Sequence, residues 1–520
     1  MTNGPTRRSL LLSSLSAGVF AALPALSKAM AETSLEFGPP TPFSFDSLKD
    51  TAKRLAESPY VPPVINDEQV LEAIDYDLHN QIRFRPEYSL WHGEGAGPTI
   101  GFFHPGRYFK DPVIISELQN GEAREIKYRQ NYFDIPEKHP ARQLHDPGFA
   151  GFRVMNSNNK NDWLAFLGGT YFRTSGPYDQ FGMSVRGLAV NAAASVPEEF
   201  PRFSRFWLER NGQELIAYAL MEGKSVTGAY RIASQQSNGI IQDVEASIFL
   251  RADIERLGIA PLTSMYWYAE NNRQLAKDWR PEIHDSDGLE IWTGAGERIW
   301  RPLVNPPRVM VNAFIDTDPK GFGLMQRDRN FEQYQDDGVF YEKRASVWVE
   351  PRDGWGKGAV QLMEIPTDDE IHDNIGAFWV PAEPARAGDR HDFRYRLHWV
   401  ADTPYRDAQL ARTVATRLGM GGIPGQPRPP DVTKFAVDME GSALDGFDRE
   451  SGVKAVINTT SGQISNDAAY PVVGTKRWRV LFDLRADSSP VDLRMFLRKD
   501  DRALSETWIY QYFPDRQRPT

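Results

Sequence analysis

Short apolar runs separated by turn-forming residues dominate the chain between residues 75 and 400. Gly, Pro, Asn and Asp interrupt these runs, and the chain holds 41 Gly and 37 Pro. Such spacing is typical of antiparallel strands, whereas alternating strands and helices would need longer amphipathic segments. We therefore predict an all-β fold whose larger part is an antiparallel β-sandwich. Its strands are expected to include residues 99–103, 113–115, 163–167 and 347–349.

Helical patterns are few in this sequence. Residues 48–56 have helical spacing, and Pro59 stops the helix that they predict. Residues 198–208 partly follow a helical pattern, and residues 402–418 are interpreted as a short helical connector. These three segments are the expected exceptions to the β-rich pattern.

A cluster of glycines and prolines between residues 419 and 430 is the clearest linker in the sequence. The 90 residues that follow have a length and rhythm that fit a small immunoglobulin-like sandwich. Their apolar runs lie at 434–437, 453–457, 477–482 and 491–496. We predict an N-terminal β-sandwich domain at 32–402, a connector at 403–430 and an immunoglobulin-like domain at 431–520.

The first 31 residues are interpreted as an export signal. Arg7 and Arg8 form a twin-arginine pattern, an apolar run extends to Leu26, and residues 29–31 (Ala-Met-Ala) supply a cleavage site. The alternative is an uncleaved anchor, but the run is short and polar for a membrane span. We expect a periplasmic protein with no transmembrane segment in its mature chain. Removing Arg7, Arg8 and Lys28 takes its net charge from −10 to −13.

Composition and motifs exclude several classes of function. The negative charge argues against a nucleic-acid partner, which requires a basic face. The chain has no cysteine, which excludes a disulfide framework and a cysteine-based metal or redox site. The sequence has no phosphate loop, dinucleotide-binding fingerprint, nucleophile elbow or zinc-protease motif, and its nine histidines form no close pair at ligand spacing. We expect neither a metal nor a cofactor. Carboxylate side chains remain as the candidates for catalysis.

The tetrad Glu-Ile-His-Asp occurs twice, in residues 282–288 (EIHDSDG) and 370–376 (EIHDNIG). The copies lie 88 positions apart and are too isolated to be a structural repeat. Aromatic runs accompany both copies. Crowded acids between buried segments repel one another and lose water, which raises a pKa as a general acid requires. The pattern favours a cleft that holds a sugar chain between two carboxylates, and the simpler alternative is a pair of solvated acidic turns.

Three long segments of this chain resemble the periplasmic glucans biosynthesis protein G and D family. They are EIHDSDGLEIWTGAGERIWRPL (282–303), GFGLMQRDRNFEQYQDD (321–337) and SVWVEPRDGWGKGAVQLMEIPTDDEIHDNIGAFW (346–379). The likeness extends from about residue 43 to residue 513, and the twin-arginine signal is more similar to that of the D members. It implies a galactose mutarotase-like sandwich followed by an immunoglobulin-like domain. It also implies a role in making osmoregulated periplasmic glucans, whose backbone is β-1,2-linked glucose.

The same resemblance implies a chemistry, because family members are similar to anomer-inverting endo-β-1,2-glucanases and to transglycosylases that cyclise the chain. In that pattern the general acid falls on Asp373. The base-side carboxylate, which works through relayed water, falls on Asp285, and Asp287 is a less favoured claimant. Inversion ordinarily places the two carboxylates about 6.5–9.5 Å apart, and a water relay permits more.

The two aspartates are expected to differ in charge. Asp373 should be protonated, helped by desolvation from the aromatic residues that follow it and by repulsion from Asp369 or Glu370. Asp285 should stay ionised.

Further candidate substrate contacts lie in the same segments. The histidines would orient the acids, the arginines would donate to sugar hydroxyls from a lid, and the aromatic residues would stack on glucose rings. Each role has an alternative. The histidines could be structural polar residues, the arginines could belong to a salt-bridged surface loop, and the aromatic residues could be part of the core. The predicted set is Asp287, His284, His372, Arg327, Arg329, Tyr334, Trp355 and Trp379.

Two functions of different classes fit the sequence. The first is a β-1,2-glucan-processing enzyme that needs no metal or cofactor, in which hydrolysis and transfer differ only in whether water or a sugar hydroxyl attacks. The second is a non-catalytic scaffold that binds the nascent glucan or docks on a membrane glucan synthase. The sequence does not separate hydrolysis from transfer, and it does not give glucan length, ring size or oligomeric state.

Overall fold

The computed structural model describes residues 34–95, 97–156 and 161–518. The predicted signal peptide at 1–31 lies outside the described residues. In the described parts of the chain, every helix is too short or too polar to cross a membrane. The α-helices are α1 (Phe45–Ala56), α2 (Glu68–Ala73), α3 (Tyr76–His79), α4 (Phe331–Tyr334) and α5 (Pro514–Gln517).

The strands outnumber the helices and follow one another along the whole described chain. The first half has β1 (Phe37–Pro42), β2 (Arg83–Phe84), β3 (Thr99–Phe103), β4 (Ile114–Gln119), β5 (Glu122–Ile126), β6 (Phe133–Asp134), β7 (Gly151–Met155), β8 (Asp162–Leu167), β9 (Tyr171–Thr174), β10 (Ser184–Arg186), β11 (Leu188–Val190), β12 (Arg202–Asn211), β13 (Glu214–Glu222), β14 (Val226–Ser237), β15 (Gly239–Leu250), β16 (Leu257–Ser264) and β17 (Tyr266–Tyr268). The second half has β18 (Ile283–His284), β19 (Gly288–Trp292), β20 (Arg298–Pro302), β21 (Met310–Thr317), β22 (Gly321–Met325), β23 (Ser346–Pro351), β24 (Lys357–Glu364), β25 (Ile375–Pro381), β26 (Arg390–Val400), β27 (Arg412–Met420), β28 (Val432–Glu440), β29 (Lys454–Thr459), β30 (Gln463–Pro471), β31 (Arg477–Arg485), β32 (Val491–Lys499), β33 (Arg502–Ala503) and β34 (Thr507–Tyr512).

Two large sheets contain most of these strands. Over the described residues, the larger has sixteen strands in the order β1-β5-β4-β12-β13-β14-β15-β26-β23-β22-β19-β20-β34-β32-β29, with β33 paired to β32. The second has ten, in the order β21-β24-β25-β16-β10-β9-β8-β7-β3, with β11 paired to β16. Neighbouring strands are mostly antiparallel, and β4 with β12 and β20 with β34 are parallel. The predicted all-β class is therefore confirmed.

The main hydrophobic core lies between the two large sheets. Phe152 and Phe166, on β7 and β8 of the ten-stranded sheet, stack with ring centroids 4.8 Å apart. Both rings meet Phe206, on β12 of the larger sheet, edge to face at 5.1 and 5.6 Å. Such aromatic contacts stabilise a core beyond the area that they bury. The two sheets therefore pack face to face as a β-sandwich.

Helix α1 covers the other face of the larger sheet. Ser44 caps its first turn. Leu48 and Ala52 are buried against the sheet, and the Ala52 carbonyl accepts a hydrogen bond of 2.7 Å from the hydroxyl of Thr227 on β14. The helix predicted from the spacing of residues 48–56 is confirmed.

Two segments predicted to be helical contain strands instead, so those predictions are wrong. Residues 198–208 enter β12, which pairs with β13 and β4. Residues 402–418 contain turns followed by β27, which pairs with β28. Both segments carry β-branched or aromatic side chains that fit a pleated, half-buried surface, and strand pairing overrides a short helical pattern.

The glycine- and proline-rich segment joins β27 to β28, which belong to one four-stranded sheet in the order β27-β28-β31-β30. Phe435 and Phe482 of this sheet stack at 4.9 Å, and Trp508 of β34 meets both rings edge-on. The apolar runs predicted as strands after residue 430 overlap β28, β29, β31 and β32. The C-terminal strands thus enclose a second core, and the domain boundaries stay a prediction.

The larger sheet continues from the N-terminal strands into the C-terminal ones, because β20 pairs in parallel with β34. Arg327 adds a link between side chains at this junction. Its buried guanidinium donates to Glu290 at 2.9 Å and to Glu506 at 2.7 Å, and Glu506 also accepts from the Thr413 main-chain amide at 2.7 Å. A buried charge needs such partners. This candidate substrate contact therefore lies at the junction between the two cores.

Candidate active site

Two segments that are far apart in the sequence meet at one end of β16. The last residue of this strand, Ser264, pairs with Ile375, which follows Asp373 by two positions. On the other side, the Asp285 main-chain amide donates to the Met265 carbonyl at 2.8 Å, directly after β16 ends. Two aspartates 88 positions apart are therefore brought to the same end of one strand.

Asp373 lines an open cleft with a volume of about 680 Å³. Its side chain is open to solvent within the cleft, yet the protein around it displaces much of its hydration. This desolvation, together with the negative charge of Asp285, raises the pKa of Asp373 from 3.8 to about 6, while the positive charges of Arg173, Arg186 and His372 oppose the rise. A carboxyl group with such a pKa can donate a proton near neutral pH.

Asp285 is buried and lies beside a positive charge. Its Oδ1 atom is 3.5 Å from Nε of Arg344, and it accepts no hydrogen bond from the described residues. Burial raises the pKa of Asp285 above its ordinary value, and the charges of Arg344 and His284 oppose part of this rise and favour the expected ionised form. One aspartate thus faces an open cleft and the other is buried against an arginine. Carboxyl groups in such unlike surroundings can divide the roles of proton donor and proton acceptor.

Aromatic side chains form much of the cleft around Asp373. Tyr108 and Phe200 are 64% and 60% exposed, although large rings are usually covered. The Arg186 guanidinium lies over the rings of Tyr171 and Phe200, 5.3 and 5.4 Å from their centroids. Rings that cover apolar C–H faces, beside polar groups that bind hydroxyls, suit a carbohydrate. Other rings that line the cleft are Phe103, Phe109, Phe172 and Phe181.

Sequence reasoning missed this aromatic set. The rings come from β3, β9 and the loops around residues 108, 181 and 200, and no motif unites these segments. The available signal is local: Tyr108 follows a Pro-Gly turn, and Tyr171 follows the pair Gly168-Gly169. Such signals indicate exposed loops without indicating that the loops meet.

A polar cluster that the motifs do not indicate holds the loop of Asp373 in place. The Arg280 guanidinium donates to three carboxylates, those of Asp278 at 2.8 Å, Asp336 at 2.7 Å and Glu370 at 2.8 Å. The Tyr341 hydroxyl also donates to Glu370. Because Glu370 is compensated in this cluster, the charge that mainly repels Asp373 is that of Asp285. The expected repulsion from Glu370 or Asp369 is therefore replaced by repulsion between the two candidate catalytic residues.

The two copies of the Glu-Ile-His-Asp tetrad adopt different structures. The first copy contains β18, where His284 is fully buried and contacts Glu282 through Nε2 at 3.1 Å and Gln326 through Nδ1 at 3.0 Å. The second copy lies in a loop, where His372 is exposed. His284 thus belongs to a buried hydrogen-bond network, whereas the charge of His372 acts directly on the neighbouring Asp373.

Asp287 and Arg329 hold the segment after β22 in place. The Asp287 carboxylate accepts hydrogen bonds from the main-chain amides of Arg327 and Asp328 at 3.0 and 2.9 Å. It lines a small cavity of about 30 Å³ rather than the cleft of Asp373. Arg329 donates to the Ala401 carbonyl at 2.8 Å. These contacts are structural, and they place both residues with the junction between the cores.

Three aromatic candidates lie in the core. Tyr334 and Trp379 are fully buried, and Trp355 is nearly so. The rings of Trp355 and Trp379 lie 6.1 Å apart, and the Tyr334 hydroxyl donates to the Asp328 carbonyl at 3.1 Å. Protein atoms cover their faces in this structure, so the exposed rings of the cleft are the better partners for a sugar.

Glu270 is a half-buried acid whose titration should make stability depend on pH. It lines the 30 Å³ cavity with Glu282 and Asp328, and it accepts a hydrogen bond of 2.8 Å from the Thr416 main-chain amide. Desolvation and the charge of Glu282 raise its pKa from 4.5 to about 8. The folded state therefore holds this proton more tightly than the unfolded state. The contribution of Glu270 to stability is therefore fully present below pH 4.5 and is lost as the pH rises towards 8.

The substitution Glu270→Gln keeps an acceptor oxygen and removes the ionisation. We expect the melting temperature of the wild type to fall between pH 4.5 and pH 8, and that of the variant to fall less, because part of the proton linkage is gone. Circular dichroism at several pH values measures both curves, with Glu332→Gln on the surface as a control. Parallel curves for wild type and Glu270→Gln would contradict the prediction.

Comparison with known proteins identifies the family. A family model described as periplasmic glucan biosynthesis protein, MdoG, matches residues 43–512. The chain is 49% identical to glucans biosynthesis protein D 2 of Ralstonia nicotianae over 98% of both proteins. It is 44% identical to glucans biosynthesis protein D of Stenotrophomonas maltophilia, over 92% of this chain and 91% of that protein. Identity to glucans biosynthesis protein D of Xanthomonas oryzae pv. oryzae is 43% over 98% of both. The predicted family is confirmed, and this chain belongs to the MdoG family of periplasmic glucan biosynthesis proteins.

Proposed function

We propose that this protein is a periplasmic enzyme that acts on β-1,2-linked glucan by an anomer-inverting acid–base mechanism. The proposal is carried by the meeting of Asp373 and Asp285 at one end of β16 in unlike surroundings. A carboxyl group with a pKa of about 6 suits a general acid. A carboxylate beside an arginine suits the base side. Family membership supports a role in glucan biosynthesis.

In the proposed reaction a glucan segment lies across the cleft. Asp373 donates its proton to the glycosidic oxygen as the bond between that oxygen and C1 breaks. A water molecule or a sugar hydroxyl attacks C1 from the opposite face and forms the new bond, and its proton passes to Asp285, directly or through water. Transfer of a proton back to Asp373 through solvent restores the starting state.

The other residues of the cleft have binding roles in this proposal. The exposed rings of Tyr108 and Phe200 cover the apolar faces of glucose units. Arg173 lines the cleft and donates to sugar hydroxyls. The buried Arg186, paired with Glu198 at 2.7 Å, lies over the Phe200 ring and holds it in place. The glucan is thus held by the exposed rings of the cleft together with the charged donor Arg173.

The decisive experiment offers purified mature protein three linear glucans, with β-1,2, β-1,3 and β-1,4 linkages. We expect conversion of the β-1,2-glucan alone, followed by chromatography and mass spectrometry. Released reducing ends would assign hydrolysis, and ring products without a rise in reducing ends would assign transfer. NMR of the fresh products should show the α-anomer, since the mechanism inverts C1. A β-anomer, or an absence of conversion of all three glucans, would refute the proposal.

The second candidate is a glucan-binding scaffold without catalysis. It is favoured by the aromatic rings, which hold a sugar without any need for an acid. In this reading the C-terminal strands, which form most of the second core, dock on a membrane glucan synthase. Calorimetry on the same β-1,2-glucan separates the two candidates, because the scaffold predicts binding that Asp373→Asn and Asp285→Asn leave unchanged and no product in the wild type.

A further inference from the structure

Asn374, the residue after Asp373, uses its whole side-chain amide on main-chain groups. Its Oδ1 atom accepts from the Tyr266 amide at 2.8 Å, and its Nδ2 atom donates to the Tyr266 carbonyl at 2.9 Å and to the Ile365 carbonyl at 2.8 Å. The residue is buried. One acceptor and two donors are all satisfied, a set that an amide side chain supplies and a carboxylate does not.

These contacts join the two segments that carry the candidate catalytic residues. Tyr266 starts β17, which pairs with His284 of β18 immediately before Asp285. Ile365 stands at the start of the loop that leads to Asp373, and its main-chain amide donates to the Asn374 carbonyl at 2.9 Å. The Asn374 side chain therefore joins the two ends of the Asp373 loop, and it binds β17, the strand that pairs with the segment just before Asp285.

The sheet itself does not supply this connection. The pairing of β16 with β25 aligns the strands through main-chain bonds as far as Ser264 and Ile375. Beyond that point β17 and the loop of residues 366–373 leave the ladder. Asn374 joins β17 to the end of this loop next to Asp373, and Asn305 joins β17 to its start by donating to the Trp267 and Thr367 carbonyls at 3.0 and 2.7 Å. The Ser264 and Ser286 hydroxyls, 2.7 Å apart, join the end of β16 to the segment of Asp285.

We propose that Asn374 is a positioning residue that sets the separation and orientation of Asp373 relative to Asp285. The inference rests on the proposed function for its catalytic consequence, and its structural part stands without it. Small displacements of a reacting group are costly, since a misplacement of about 1 Å can lower a rate about 100-fold.

The separation that Asn374 sets also controls the charge state of Asp373. The groups that face Asp373 are Asp285, whose charge raises its pKa, and Arg173, Arg186 and His372, whose charges lower it. If the loop moves away from β17, Asp373 gains water and its distance from Asp285 grows. Both changes lower its pKa from about 6 towards 3.8.

The test compares Asn374→Ala and Asn374→Ser with the wild type and with Gln242→Ala. Gln242 is a matched control, because it is a fully buried amide that accepts from Trp399 and donates to Ser234 within the larger sheet, away from the site. We expect kcat of both Asn374 variants to fall about 100-fold with little change in KM. The alkaline limb of their pH profile should move to lower pH, and that of Gln242→Ala should not move.

A second readout needs no activity. Carbon NMR of labelled aspartate, assigned with Asp373→Asn, follows the Asp373 carboxyl directly, and its titration midpoint should fall in the Asn374 variants. Variants that fold, with an unmoved midpoint and an unmoved pH limb, would overturn the inference. The inference would also fail if lost stability explained the loss of kcat, that is, if Gln242→Ala lowered the melting temperature and kcat as much as the Asn374 variants do. If the wild type converts no glucan but the titration midpoint of Asp373 moves in the Asn374 variants, the proposed function is refuted and the positioning role is retained.

Discussion

Asp373→Asn is expected to lower kcat on linear β-1,2-glucan about 1000-fold. The amide has the shape of the acid, but it cannot give a proton to the leaving oxygen, and general acid catalysis contributes about 10²–10⁴ in rate. KM should change little, because the rings of the cleft and Arg173 are untouched. Product formation at saturating glucan, followed by chromatography, measures the loss.

Asp369→Asn is the matched control for this substitution. Asp369 lies in the same loop, is exposed, and accepts a hydrogen bond of 3.0 Å from the Ile371 main-chain amide. Its replacement should leave kcat within about twofold, as expected for a surface residue outside the chemistry. If Asp373→Asn kept more than a tenth of the wild-type rate, or if both substitutions cost the same, Asp373 would not be the acid.

The pH profile gives the same assignment an independent check. Asp373 acts in its protonated form, so kcat/KM should fall as the pH rises through about 6. Asp285 acts ionised, so activity should also fall at low pH. Asp285→Asn removes the negative charge that raises the pKa of Asp373. The fall of any residual activity with rising pH should therefore occur at a lower pH than in the wild type.

Glu364→Ala is expected to destabilise the fold by about 3–5 kcal/mol. The Arg301 and Glu364 side chains are 1% and 0% exposed and form an ion pair of 3.0 Å, and Glu364 also accepts from the Val304 main-chain amide at 2.9 Å. Removing the carboxylate leaves the arginine charge buried without its partner, which is costly. Denaturant unfolding followed by circular dichroism gives the change in the free energy of unfolding.

An exposed pair provides the comparison. Arg394 and Asp353 form an ion pair whose side chains are 62% and 36% exposed, and Asp353→Ala should cost no more than about 1 kcal/mol. A double variant, Arg301→Met with Glu364→Leu, removes both buried charges and should recover much of the loss. The prediction fails if Glu364→Ala costs no more than Asp353→Ala.

The β-rich fold could be predicted because the alternation of apolar runs and turn residues is a local signal. The prediction of secondary structure failed where this local signal is short. Residues 198–208 and 402–418 carry partial helical spacing, but partners distant in the sequence decide their conformation, through β13 and β28. A short apolar segment is helix or strand according to what it pairs with.

The candidate acids could also be predicted, because two copies of an uncommon tetrad mark them. The aromatic contacts could not. Gly354 and Gly356 flank Trp355 in the sequence, yet Gly356 has φ 68° and serves a turn of the backbone, and the Trp355 ring is buried. Tyr108 and Phe200, by contrast, are exposed and carry no motif. Sequence spacing does not tell which face of a strand or loop meets solvent.

The parallel pairing of β20 with β34 has a consequence for experiments on the C-terminal strands. Deleting residues 425–520 would remove β34 and leave β20 as an open edge with unpaired amides and carbonyls, which invites aggregation. It would also take away Glu506 and leave Arg327 with one acidic partner fewer. A truncated protein that fails to act would therefore report a damaged sheet and not a missing docking surface. Substitutions of exposed residues on β30, an edge strand of the four-stranded sheet, keep the pairing of β20 with β34 intact and can therefore test a docking role alone.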